Sequence, residues 1–278
     1  MLRPDAGPLA IIAVANEIAA IERRVAPWTT EGSGGFTLAR ARLAGKDLVL
    51  VTCGMGKVNA ALATQAVIER CRPAAIISCG SAGGLWPDMQ PGDLIIGERV
   101  TQHDAGAYLG ERFVHVGVQT WDAGRWKTRR SWPADADLVS AAQAAAGALD
   151  KIARVRAGLI AAGDQAIFSK ERRAWLRETL QALAVDMESA AVAQTAAANG
   201  IAWLAIRAVS DAADEDAGFD VSKLVEYADE ASATTLARRL GYLAAHPDTL
   251  AKLRRLRAGI QLAAERATAL TLAVVERL

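Results

Sequence analysis

Cysteine and histidine are scarce in this chain, three of each in 278 residues. Cys53, Cys71 and Cys79 are odd in number and lack metal-ligand spacing, so neither a disulfide framework nor a zinc module is expected; buried reduced thiols fit their strand-like surroundings. That reading suits a cytoplasmic location. With no ligand cluster, no metal and no organic cofactor is implied. An excess of charge is missing too: 32 basic side chains against 31 acidic ones leave a net charge of +1, which removes the bulk attraction that would hold nucleic acid or an anionic membrane. Long apolar runs are also lacking. Leu9–Ala15 is at the short end for a signal h-region and passes directly into Asn16 and Glu17, and no uninterrupted apolar stretch reaches the length of a membrane span. No Gly/Ser/Pro linker divides the chain, so residues 1–245 read as one α/β domain and 246–278 as a C-terminal helical extension.

What is present is an alternation of short apolar runs with alanine-rich helical stretches. Leu9–Ala15 reads as a buried strand and Glu17–Val25 as a helix. Phe36–Leu43 and Lys46–Thr52 read as a hairpin around Ala44-Gly45, Val58–Cys71 as a helix, and Ala74–Cys79 and Asp93–Val100 as strands. A helix at Asp137–Leu149, a strand at Arg154–Ala162 and a helix at Lys170–Leu183 follow. Asp186–Ala198 is helical, Asn199-Gly200 stops it, and Ile201–Ile206 is a strand. Between them Gly106–Pro133, with Trp121, Trp126, Trp132 and a basic cluster Lys127–Arg130, lacks periodicity and reads as an irregular excursion, a flap. Beyond the acidic loop Asp214–Asp220 a helix at Val221–Ala245 is expected, ended by Pro247. Leu250, Leu253, Leu256, Ile260 and Ala264 then recur at three- and four-residue spacing, an amphipathic helix that must cover either its own domain or a subunit contact.

Two carboxylate segments, Asp186-Met187-Glu188 and Ser210-Asp211, are separated by one helix and one strand. Carboxylates with different jobs thus fall at the ends of adjacent elements, where α/β enzymes carry their chemistry. Gly54-Met55-Gly56-Lys57 and Gly80-Ser81-Ala82-Gly83-Gly84 each follow a strand, and glycines there let backbone N–H groups approach a ligand. The first is not a P-loop, because its glycine-to-lysine spacing and the following Ser or Thr are missing. Either segment alone also reads as a tight turn.

The ordered set from Glu17 through these two glycine segments, His103-Asp104-Ala105, Ala162-Gly163-Asp164, Val185–Glu188 and Arg207–Asp211 resembles the purine nucleoside phosphorylase and nucleosidase superfamily over about residues 9 to 240, and within it the methylthioadenosine/S-adenosylhomocysteine nucleosidases. The resemblance implies a single-domain α/β fold, a mixed central β-sheet flanked by helices, here with an extra C-terminal helix. It implies cleavage of an N-glycosidic bond in a small-molecule purine nucleoside by a homodimer, with no nucleic acid and no membrane as partner. By position Asp211 resembles the acid that protonates the leaving base; as a residue it also reads as an N-cap before the acidic loop. Glu17 resembles the carboxylate that activates water, against a first-turn surface glutamate. Glu188 resembles the carboxylate that binds the sugar hydroxyls, Met187 packs on the sugar, and Asp186 serves the fold more than the sugar. Ser81, with Ala82 and Gly83, holds the nucleophile from the glycine segment, and Ile167 contacts the base through its backbone. His103 reads either as part of the 5′ pocket or as a histidine satisfied near a strand end.

Ile77-Ser78-Cys79 stands where the superfamily's phosphorylases place an arginine cluster, and a carboxylate at position 17 would repel phosphate, so hydrolysis is favoured over phosphorolysis. The chain departs from the family after Gly163-Asp164. Gln165-Ala166-Ile167-Phe168 lacks the usual stacking phenylalanine, so either Phe168 takes over or the base pocket is wider. Phosphorolysis, another 5′-modified nucleoside such as futalosine or adenosylhopane, and a sensor that binds nucleoside without turnover are the competing readings.

Overall fold

A computed structural model describes residues 7–149, 152–213 and 247–278. Its centre is β1 (Leu9–Val14), hydrogen-bonded in parallel to β4 (Lys46–Cys53) on one side and β5 (Ala75–Gly84) on the other. β1 is covered on both faces, which is why it reads as an unbroken apolar run. Leu9, Ile11 and Ala13 enter one core cluster and Ala10 and Ile12 the other. The first cluster is closed by α1 (Ala15–Val25), α3 (Ala136–Ala146) and the C-terminal helix, numbered α6 here (Pro247–Arg277). The second is closed by α2 (Lys57–Cys71) and α5 (Ser189–Ala198).

Among the described residues ten strands form the main sheet. β2 (Thr29–Ser33) and β3 (Phe36–Leu43) extend it antiparallel beyond β4. On the other side β6 (Leu94–Gln102), β12 (Val155–Ala162), β13 (Ala184–Asp186), β5 and β14 (Ala202–Asp211) pair in sequence, and β14 returns to β6, so this half of the sheet closes on itself. The fold is the mixed α/β architecture expected. α4 (Lys170–Leu180) lies outside the ring, started by Ser169, whose hydroxyl accepts from Arg172 N at 3.2 Å.

Several local expectations are corrected. Gly80–Gly84 is not a loop: β5 runs through it, paired to β14 and β13. Glycine is required there by crowding, since a Cβ on Gly80 would run into the Glu17 carboxylate and one on Gly84 would lie 3.1 Å from Val209 Cγ1. Strand β14 continues five residues past Ile206 to Asp211. Asp186 ends β13 rather than starting a helix, and its carboxylate accepts from Ser189 N at 3.3 Å, one turn ahead of α5. The segment Gly106–Pro133 is not irregular. It forms two antiparallel hairpins, β7 (Gly106–Leu109) with β8 (Arg112–His115) and β9 (Val118–Asp122) with β10 (Arg125–Arg129), followed by the short β11 (Trp132–Pro133). Both faces of these ribbons are open or half-covered, so no apolar alternation marks them.

Pro247, expected to end a helix, is the first described residue of α6. The acidic loop and the expected helix Val221–Ala245 lie outside the described residues. By length and composition alone Thr249–Arg277 would pass for a membrane span, contrary to expectation. Its Ala263, Ala267, Leu270 and Val274 are buried in the first core cluster, the position of a core helix.

Candidate active site

At the carboxyl ends of β1, β13 and β14 and along the last residues of β5 a cavity of about 220 Å³ opens. Every residue assigned to the site from sequence lines it: Glu17, Ser81, Ala82, Gly83, Ile167, Phe168, Asp186, Met187, Glu188 and Asp211. Phe168 and Ile167 are half-buried side by side in the segment between β12 and α4, and this segment gives the cavity an aromatic lining residue. Sequence reasoning named Met55 only as part of the Gly54–Lys57 segment and did not assign Leu256 and Ile260 to the site; the three add apolar lining from the turn before α2 and from α6. The stripe of α6 offered a signal, since Leu256 and Ile260 are on its inward face.

Glu17 is in the first turn of α1 but is buried, 6 % exposed. Its Oε1 accepts from Ser81 N at 2.6 Å and Ser81 Oγ at 2.8 Å, and its Oε2 from Val14 N at 3.3 Å. Burial pushes its carboxyl above the usual range, against the Arg207 charge and these donors, which pull it down. Glu188 Oε1 accepts from Gly56 N at 2.9 Å, which ties the Gly54–Lys57 turn to the second carboxylate segment. Burial, and then the Asp186 charge, raise Glu188 to about 7, with Arg207 opposing.

Arg207 joins these groups from behind. It is buried on β14; Nε donates to Asp186 Oδ2 at 2.6 Å and Nη2 to Ser78 Oγ at 2.9 Å. Burial alone would lower its pKa, but Asp186, Glu17 and Glu188 together hold it above the ordinary arginine value. Asp186, which also accepts from the Ser189 hydroxyl, is thus committed to the scaffold.

Asp211 forms the opposite end. Ser210 Oγ donates to its Oδ1 at 2.5 Å and Arg173 donates to its Oδ2. Arg173, a buried arginine on α4, was missed; its signal was a charge sharing the inward i, i+3, i+7 face with Leu176 and Leu180. Lys57 is drawn to the rim, where its Nζ donates to Asp104 Oδ1 at 2.7 Å and its N to Asp164 Oδ1 at 2.7 Å. His103 is fully buried with neither ring nitrogen hydrogen-bonded among the described residues, and burial drops it to about 4, so it is a neutral packing group under Gly163. No group of three or more His, Cys, Asp or Glu suited to a metal occurs among the described residues.

The family model described as the phosphorylase superfamily matches residues 9–244, and the chain belongs to that family. Among curated relatives, a 5′-methylthioadenosine/S-adenosylhomocysteine nucleosidase of Geobacillus kaustophilus is 34 % identical over 232 residues, 83 % of this chain and 95 % of the relative. The crystal structure of the enzyme of that name from Neisseria meningitidis, in complex with methylthio-immucillin-A, superimposes with a TM-score of 0.74 at 27 % identity, covering 98 % of this chain and 99 % of that one. The futalosine hydrolase of Helicobacter pylori also has a TM-score of 0.74, but at 21 % identity that likeness speaks for the fold alone.

Proposed function

We propose that this protein is a nucleosidase that hydrolyses the N-glycosidic bond of 5′-methylthioadenosine and S-adenosylhomocysteine, releasing adenine and the free thio-substituted sugar. The observation that carries the reading is the convergence of Glu17, Glu188 and Asp211 on one cavity, with the water-side and base-side carboxylates held by different donors. The name and 34 % identity of the Geobacillus relative support the substrate.

In this mechanism the C1′–N9 bond breaks with its electron pair leaving on the base. Asp211, whose carboxylate accepts from Ser210 and Arg173 and is open to the cavity, takes up a proton from solvent and relays it toward N7, so adenine departs neutral rather than as an anion. The sugar passes through an oxocarbenium-like state, stabilised by the Glu188 carboxylate at its hydroxyls. Glu17 takes a proton from the attacking water, whose oxygen bonds to C1′; burial makes Glu17 a stronger base than a surface glutamate. Ser81 fixes the reactive oxygen of Glu17 through two hydrogen bonds.

Water is favoured over phosphate because the cations nearby are already engaged. Arg207 is bonded to Asp186 and Ser78, and Arg173 to Asp211. The apolar lining by Met55, Leu256 and Ile260 suits a thioether at the 5′ position. A homodimer and a cytoplasmic location belong to the same proposal. Exposed Met55, Val58 and Leu62, in and beside the first turns of α2, suit a covered surface at the cavity mouth, and three free cysteines suit a reducing compartment. The test is incubation of the pure protein with methylthioadenosine, with and without phosphate. Adenine release that is independent of phosphate is expected; strict phosphate dependence would establish phosphorolysis, and release only from futalosine would move the substrate.

A further inference from the structure

Helix α4 turns an arginine inward. The Arg173 side chain is 2 % exposed, and a guanidinium is tolerated there only if its donors are matched. They are: Nε donates to the Ile167 carbonyl at 3.0 Å, Nη1 to the Ala212 carbonyl at 2.6 Å, and Nη2 to Asp211 Oδ2. These acceptors belong to two separate stretches of chain, the loop between β12 and α4 and the end of β14. The planar fork fixes direction as well as distance, so one side chain sets the position of Ile167 relative to Asp211. Both of those residues line the cavity. The pair rests directly on the β5 backbone, since a Cβ on Gly83 would lie 3.5 Å from both Arg173 Nη2 and Asp211 Oδ2.

We infer that Arg173 is the positioning residue of the base half of the site: it locks the Asp211 carboxylate and the Ile167–Phe168 loop into one rigid frame that grips the purine. The inference rests on the base-protonating reading of Asp211. The bridging role predicts a split effect. Loss of the clamp on Asp211 lowers kcat, and loss of the clamp on Ile167 weakens affinity for the free base.

The experiment compares Arg173→Met and Arg173→Lys with the unaltered protein, each with and without Asp211→Asn. It measures kcat and KM on methylthioadenosine, adenine affinity by calorimetry, and Tm. Arg173→Met should lower kcat by about thirtyfold and weaken adenine binding by about tenfold. Arg173→Lys should recover part of both, because an ammonium carries a compact charge that cannot span three diverging acceptors. In the Asp211→Asn background the kcat effect of Arg173→Met should shrink to about threefold or less, since the clamped carboxylate is gone. A folded Arg173→Met with unaltered kcat and adenine affinity overturns the inference, as does an undiminished kcat effect in the Asp211→Asn background. Should Arg173→Met fail to fold, Arg173→Lys decides, and unaltered kcat and affinity in it overturn the inference. If the unaltered protein releases no adenine from methylthioadenosine, the hydrolysis reading falls while adenine calorimetry still judges the clamp: a tenfold loss sustains it and no loss overturns it. A protein that neither releases nor binds adenine overturns both.

Discussion

Two aspartate–arginine pairs flank the same cavity, and they differ in what surrounds them. Asp186–Arg207 is sealed, with side chains 1 % and 2 % exposed, and each partner has further hydrogen bonds inside the protein. In Asp211–Arg173 the arginine is equally buried, but the aspartate side chain is 13 % exposed and forms the cavity wall. The sealed pair is a piece of scaffold whose positive partner also acts on Glu17 and Glu188. The open pair leaves a carboxylate within reach of a ligand. The same two residue types are thus enclosed at one site and open to the cavity at the other, and the distinguishing variable is access.

Exchanging the roles experimentally should expose the contrast. The largest effect is expected for Asp211→Asn, which keeps the shape of the side chain but removes its proton chemistry: kcat should fall by about a hundredfold or more with KM mostly retained. Steady-state kinetics on methylthioadenosine checks this, and a near-normal rate would contradict the acid role. Arg207→Met should act on the fold instead, leaving Asp186 as an uncompensated buried charge at a cost of about 3–5 kcal/mol, read by urea denaturation.

The pH dependence comes next. In the proposed mechanism Glu188 works as a carboxylate, and burial raises it to about 7, so kcat/KM should decline as pH falls through about 7. Stability should run the other way. A folded-state value above the ordinary 4.5 means that the Glu188 contribution is fully present below that pH and is lost as pH rises through about 7. Denaturation of the ligand-free protein at several pH values between these limits tests the sign. The smallest effect belongs to Ser210→Ala, which removes one of the two donors on Asp211 and should lower kcat by about three- to tenfold with little change in Tm.

The parts of this molecule legible in its sequence are those where one local rule decides. β1 announced itself because both its faces are buried, and the Ala44-Gly45 hairpin because two strong strands flank it. Its turn has φ of 49° and 80° at those residues. The identical dipeptide Ala123-Gly124, at 49° and 82°, makes the same turn between β9 and β10, yet went unread because its flanking residues are open on both faces. The cavity-lining carboxylates were legible from their order along the chain. Their partners were not: which arginine meets which aspartate depends on α4 and β14 meeting in space, 38 residues apart for Arg173 and Asp211. The course of β5 through Gly80–Gly84 was hidden for a related reason, because a glycine run reads as a turn until its crowded neighbours are known.

Closing half of the sheet into a ring also governs how the molecule behaves among its own copies. β14 takes the flank of β6 from Leu94 to Gly97, and β11 takes Arg99 and Val100. β11 is two residues long and ends in Pro133, which has no amide hydrogen to offer a further strand. Along this flank of β6 a stray polypeptide finds almost no ladder on which to start a fibril.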